Sequence, residues 1–185
     1  MKRGTKILLL ADSMATLALG MIGPIYALFV EKIGGDILDA GWAYFAFMIS
    51  SGVVMFLLSR WEDRFRHKSK LVVLGYSLTS LGCLSYIFVY NQMTLVLTQI
   101  ILGLSVAVLN PSFDALYSRF VDHKKETSEW GAWESMGYLV TGIAAVVGGY
   151  FANSYGFRAL FIFMFIVSLF GVAWSIKLLR EDRKA

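Results

Sequence analysis

Ionisable side chains are scarce inside the apolar runs of this 185-residue chain, and those few are where chemistry is possible. Ten of the 13 acidic residues sit in polar breaks or near the chain ends, leaving Asp12, Asp114 and Glu134 in or beside apolar runs. A carboxylate at the centre of a bilayer costs about 2.5–3.5 kcal/mol or more, so such groups face a cavity or a partner. At 100° per residue, Asp12, Thr16, Gly23 and Tyr26 fall within about 40° of one direction on a helix. That stripe reads as a cavity wall with Asp12 as a proton or cation site. The plainer reading is a carboxylate that snorkels to water or caps a neighbouring helix. A second stripe, Gln99, Gly103, Asn110, Asp114 and Tyr117, stays within about 60°. Gln99 and Asn110 suit hydrogen bonding to a substrate, or from helix to helix. Glu134 follows Trp130-Gly131-Ala132-Trp133, where the dipole of a helix N-terminus favours a carboxylate. Enzyme chemistry has little to work with. His67 and His123 lie in polar breaks far apart, with no second metal ligand at helical spacing and no Ser/His/Asp set. No metal or cofactor is expected, and the lone Cys83 has no partner for an internal bridge.

The elements that carry these residues follow from composition. Hydrophobic residues make up 57% of the chain, charged residues 16%, and mean hydropathy is +0.64. A soluble domain carries about 25% charged residues, so a soluble enzyme, a disordered chain and a disulfide scaffold are excluded. Crossing a bilayer takes about 20 mostly apolar residues per helix. Six apolar stretches qualify, at 6–30, 40–60, 71–90, 94–118, 134–152 and 159–179, separated by short polar breaks. The expected fold is all-α: a polytopic membrane bundle of six transmembrane helices forming one domain over residues 1–185. The apolar run after Met1-Lys2-Arg3 is too long for a signal peptide and lacks a small-residue cleavage site, so it reads as a retained span.

Lys and Arg set the orientation, because cytoplasmic loops carry their excess. With six spans, fifteen of the 17 fall on the side of the N- and C-termini, leaving only Lys32 and Arg158 on the other. Both termini are therefore expected in the cytoplasm. The same asymmetry explains the net charge of +4 without a nucleic-acid partner. The five tryptophans fall at or near span ends, where indoles favour the interface. Pro24 and Pro111 lie near the ends of the first and fourth spans, which divides the chain into units 1–90 and 91–185. An odd number of helices per unit makes the second inverted relative to the first, and helices interrupted at matching positions are a transporter signature. Thr141, Ala145, Gly148 and Ala152 form a small-residue face on the fifth span, suited to close helix packing.

The second polar break reads Ser59-Arg60-Trp61-Glu62-Asp63-Arg64-Phe65-Arg66-His67-Lys68. It resembles the G-x-L-a-D-R-x-G-R-K signature that the major facilitator superfamily carries between its second and third helices. Asp63, Arg64 and Lys68 match, while Ser59, Arg66 and His67 replace Gly, Gly and Arg. Tyr155-Gly156-Phe157-Arg158-Ala159-Leu160-Phe161 is similar to the family's entry into its sixth helix, and Gly148-Gly149 to its paired glycines in the fifth. The sequence departs from the family at Gln99, where R-x-x-x-G usually has its Arg, and at Ala144-Ala145, where antiporters carry G-P. It also stops after six helices where members have twelve, as a half-size member or an N-terminal half would.

The resemblance implies a secondary active transporter that moves a small molecule by alternating access. The family's proton coupling would fall to Asp12, with Thr16, Tyr26, Gln99 and Asn110 along the pathway. A cytoplasmic gate would comprise Asp63, Arg64, Lys68 and Asp114, with Glu134 beside them. Six helices supply half of the family's cavity wall, so a parallel homodimer through helices 2 and 5 is expected, the small-residue face of the fifth contributing. The expected location is the inner membrane of a bacterium or archaeon, with lipid as the remaining partner. The alternatives are a non-transporting assembly or regulatory module and an isolated half of a twelve-helix transporter.

Overall fold

Without water at membrane depth a backbone must bond to itself, and a helix does so within one segment. The computed structural model describes residues 1–62 and 67–182, and these form helices and short 3-10 turns with no strand among them. The elements are α1 (Arg3–Gly20), α2 (Tyr26–Lys32), α3 (Ile37–Glu62), α4 (Lys68–Tyr86), α5 (Gln92–Phe120), α6 (Glu126–Ser175) and α7 (Leu178–Glu181). Among the described residues, four stretches are long and apolar enough to cross a membrane: Arg3–Lys32, Ile37–Ser59, Gln92–Phe120 and Glu126–Glu181. α4, diluted by Ser77, Thr79, Ser80 and Ser85, falls short of that apolarity.

Two of these stretches are not straight. α6 is broken at Gly156, whose φ of 80° and ψ of 168° suit only glycine. The chain doubles back there: the rings of Phe151 and Phe163 stack with centroids 4.5 Å apart. Twelve residues of straight helix would separate them by about 18 Å. The arms 126–155 and 157–175 are thus separate rods. The first stretch gives way to a 3-10 turn at Gly23–Ile25, where Pro24 supplies no N–H to the carbonyl four residues back, and restarts at Tyr26. The matching interruption expected at Pro111 is absent, because α5 runs unbroken through it. α5 is packed by both α3 and α4, and that tertiary support holds the helix across the missing hydrogen bond.

The packing follows a simple plan. α1 lies against α6, α5 lies against α3 and α4, and α4 meets α6 between them. One buried cluster gathers Ala18, Met21, Phe29, Tyr86, Leu160 and Met164, and a second gathers Leu8, Val72, Tyr76, Leu116 and Phe120. Hydrophobic burial does little to hold helices together in lipid, so close backbone approach and interhelical hydrogen bonds matter more. Thr79 Oγ1 and Ser105 Oγ lie 2.6 Å apart, Ser105 donates to the Gly75 carbonyl at 2.9 Å, and Ser80 donates to Ser168 at 2.7 Å. A Cβ at Gly148 would overlap the carbonyl of Met21, the residue that caps the end of α1. Gly148, expected on the small-residue face toward a second copy, is therefore consumed inside the fold; without a side chain it lets α1 approach. The outward face of the same arm carries Gly142 and Gly149, where an added Cβ would meet nothing.

Candidate functional site

The break near Pro24 decides where the α1 stripe points. An ideal helix would carry Asp12, Thr16 and Tyr26 along one face. The 3-10 turn takes Tyr26 out of that register, and the structure divides the stripe between two cavities.

The first cavity, about 250 Å³, lies between the broken end of the first stretch, α3, α4 and α5. Gln99 is only 5% exposed, and its Nε2 donates to Tyr26 Oη at 2.9 Å and Tyr86 Oη at 3.1 Å. The residues come from three elements: the first residue of α2, the last of α4, and α5 two turns from its start. Both amide protons are engaged, which fixes the amide plane. Each phenol accepts from Gln99 and keeps its own O–H as a donor. Tyr44, Phe47, Ile22 and Leu102 supply apolar wall. The arrangement suits an uncharged, apolar or aromatic group bearing a hydrogen-bond acceptor.

The second cavity, about 260 Å³, brings together Asp12, Thr16, Trp133, Glu134, Gly137 and Tyr138. Asp12 accepts from Trp133 Nε1 at 2.8 Å and from Tyr76 Oη at 3.3 Å. Both donors are neutral, and among the described residues no cation comes within ion-pair distance of Asp12. The carboxylate is half-buried, anchored on two sides and open to the cavity on the third, as a group that loads and unloads a proton or cation needs to be. Trp133, expected only as an interfacial anchor, proves to orient it.

The remaining site residues fall in several places. Asn110 and Asp114 are exposed on α5, while Gln99, Gly103 and Tyr117 of the same stripe are buried. Glu134 is exposed but does not sit at a helix start: α6 begins at Glu126, and Glu126 and Glu129 occupy its first turn. The dipole rationale for Glu134 therefore fails, and its observed neighbour is the Asp12 cavity. Lys68 opens α4. Asp63 and Arg64 lie outside the described residues. Pro24 is exposed in the 3-10 turn, and Pro111 is half-buried within α5.

A charge cluster does exist at the basic end of the bundle, built from residues the sequence reading passed over. Asp182, whose side chain is fully buried, accepts from Arg119 Nη1 at 2.7 Å and from Ser69 Oγ at 2.7 Å. The Ser69 backbone N–H, in the first turn of α4, also donates to it, at 3.3 Å. One carboxylate so ties the start of α4, the end of α5 and the end of α7. Arg3 reaches Glu181 at 3.6 Å and adds the start of α1.

Comparison with known proteins agrees across nearly the whole length. Residues 8–185 match the family model described as Major Facilitator Superfamily. The chain is 28% identical over 181 residues to Multidrug resistance protein 2 of Bacillus subtilis (strain 168), covering 95% of this chain and 44% of that one. It is 25% identical over 145 residues to Uncharacterized MFS-type transporter YitZ of the same organism, covering 78% and 87%. To Uncharacterized MFS-type transporter MJ1560 of Methanocaldococcus jannaschii it is 24% identical over 147 residues, covering 80% and 38%. The chain thus spans less than half the length of the first and third of these relatives and most of the second.

Proposed function

The chain belongs to the major facilitator superfamily, and from that premise we propose that it is a secondary active transporter, one six-helix unit of a pair that works by alternating access. Its family and its apolar helices make it an integral membrane protein. The proposed topology has six spans, formed by α1 with α2, by α3, α4 and α5, and by the two arms of α6, with both termini cytoplasmic. In support, Arg119, Lys124 and the Asp182 cluster gather at one end, while Lys32 and Arg158 line one cavity at the other. The repeat units 1–90 and 91–185 are supported by the packing plan: α1 lies on the two arms of α6 as α5 lies on α3 and α4. The bacterial and archaeal relatives favour the inner membrane of such a cell.

The observation that carries transport is Asp12, a carboxylate at membrane depth held by neutral donors beside an open cavity. An inert scaffold has no use for so costly a group. Asp12 takes the coupling role, by proton, and Gln99 with Tyr26 contacts the substrate. The similarity to Multidrug resistance protein 2 puts drug-like compounds first among candidate substrates. A thermal-shift screen of the purified protein against sugars, amino acids, organic cations and lipophilic drugs identifies the ligand. Its uptake is then followed in proteoliposomes. Asp12→Asn should abolish accumulation driven by a pH gradient and spare gradient-independent exchange. Full gradient-driven accumulation by a folded Asp12→Asn protein rules the coupling role out.

A single six-helix unit leaves Asn110, Asp114 and Glu134 exposed on otherwise apolar rods. Unsatisfied polar groups in hydrocarbon cost several kcal/mol each, which favours a second unit across them. The simplest partner is an identical chain, parallel and related by an axis along the membrane normal, with α3 and the first arm of α6 in contact. Trp42, Phe45 and Phe56 on α3, and Tyr138 and Val146 on α6, present the apolar surface for it. A dimer by native mass spectrometry is expected, and a monomer in both mild detergent and nanodiscs refutes it.

A further inference from the structure

Lys32 and Arg158 are the only two of the 17 basic residues that the charge count places away from the basic side. Chains with strong positive-inside bias keep Lys and Arg off the translocated side, so two exceptions need a reason. They are 126 positions apart in sequence, yet both line one cavity of about 600 Å³. Lys32 comes from the last position of α2, and Arg158 from the start of the second arm of α6, just past the Gly156 reversal. Six aromatic residues line the cavity with them: Phe29, Tyr86, Tyr90, Tyr155, Phe157 and Phe161. That wall is ordered, with Phe29 and Phe161 edge-to-face at 4.8 Å and Tyr86 stacked on Phe161 at 5.0 Å.

Among the described residues no carboxylate lines this cavity. Neither cation forms an ion pair among them, and Lys32 Nζ rests 5.4 Å from the centroid of the Phe157 ring. The acids at this end are engaged or face elsewhere. Glu31 and Asp36 line a separate cavity, and Asp36 and Asp39 cap each other's backbone N–H at 2.9 and 3.1 Å. The second arm of α6 also begins at this cavity, adding the positive end of its dipole. Two cations, a helix start and an aromatic wall fit an anion that carries an apolar or aromatic body.

We propose that this cavity is an anion site, Lys32 and Arg158 holding a phosphate or carboxylate while the aromatic wall receives the attached apolar group. The ligand is an anionic amphiphile, supplied as the headgroup and upper chain of an anionic lipid or as a free aromatic carboxylate. This holds whether or not the chain transports, since Lys32 and Arg158 line neither the Asp12 cavity nor the Gln99 cavity, with which this site shares only Tyr86.

The test is native mass spectrometry of the full chain in detergent with equimolar phosphatidylglycerol and phosphatidylcholine, repeated with excess 2-naphthoate. The wild type should retain phosphatidylglycerol preferentially. Lys32→Gln and Arg158→Gln should each weaken that preference about fivefold, the effect of one cation at a membrane surface. Lys124→Gln/Lys125→Gln, at the opposite end, should leave it unchanged, and all variants should melt as the wild type does. Displacement of the lipid by naphthoate identifies a free carboxylate as a ligand, and retention against it identifies the lipid. Equal retention of both lipids by the wild type with no naphthoate bound, or an undiminished preference in Lys32→Gln/Arg158→Gln, overturns the proposal.

Discussion

Removing Arg119 should expose how the basic end is held together. Asp182 has no solvent-accessible side-chain surface, whereas Arg119 is 41% exposed. Breaking a fully buried ion pair from one side costs about 3–5 kcal/mol, because the remaining charge is left uncompensated. Water reaches the outer side of Arg119, which places this pair toward the lower end, so Arg119→Met should destabilise by about 2–3 kcal/mol. Asp182→Asn keeps an oxygen for the Ser69 hydroxyl and removes the buried charge, and should cost about 1–2 kcal/mol. With Asn at 182 the cation has nothing to neutralise. The double variant should therefore be little worse than Asp182→Asn alone, a coupling of about 2 kcal/mol. Unfolding of the purified protein in mixed micelles by a denaturing detergent, followed by circular dichroism, gives all four stabilities. Single effects that simply add, within the roughly 0.3–0.5 kcal/mol expected of independent sites, would refute the shared-carboxylate account.

Three further outcomes can be measured, the first two by the same unfolding assay. Trp133→Phe keeps the ring against Phe113 but removes the indole N–H from Asp12; it should cost about 1–3 kcal/mol, and much less in an Asp12→Asn background. Gly148→Ala should destabilise by about 1–3 kcal/mol through overpacking against Met21, whereas Gly142→Ala, in open space, should be neutral or stabilising by up to about 1 kcal/mol; equal effects would mean α1 does not approach through Gly148. Gln99→Leu strips both phenols of their donor and should lower the affinity for any ligand seated between Tyr26 and Tyr86 about tenfold or more, read as a lost thermal shift; an undiminished shift would place the ligand elsewhere.

Apolar length announced the rods, because about 20 apolar residues leave a chain few other choices at membrane depth. The edges moved where polar residues continue a helix past its apolar core, as from Glu134 back to Glu126. Type and phase placed Tyr26 and Gln99 on separate polar stripes, but their hydrogen bond joins two helices and has no signature in either stripe. Asp12 and Tyr26 could not be separated that way, since a helical wheel assumes one uninterrupted helix and Pro24 ends that assumption. Trp133 looked like any interfacial indole. The clue was that a buried Trp N–H wants an acceptor and Asp12 was available at similar depth. Asp182 and Arg119 were invisible for another reason: in sequence they are two more charges in a polar tail and a basic break. Only the tertiary fold shows that one of them is buried.

The reversal at Gly156 also has a mechanical side. One residue makes the turn, and the stacked rings of Phe151 and Phe163 bind the arms beside it, so the hairpin has no slack with which to absorb a tilt. The first arm carries Tyr138 and Val146 outward, and the second begins at Arg158. In the rocking proposed above, the hairpin would act as a lever whose outer surface and tip move together. Rocking at a neighbouring unit would open or close the aromatic cavity at the far end, and an occupant wedged there would in turn brake the rocking.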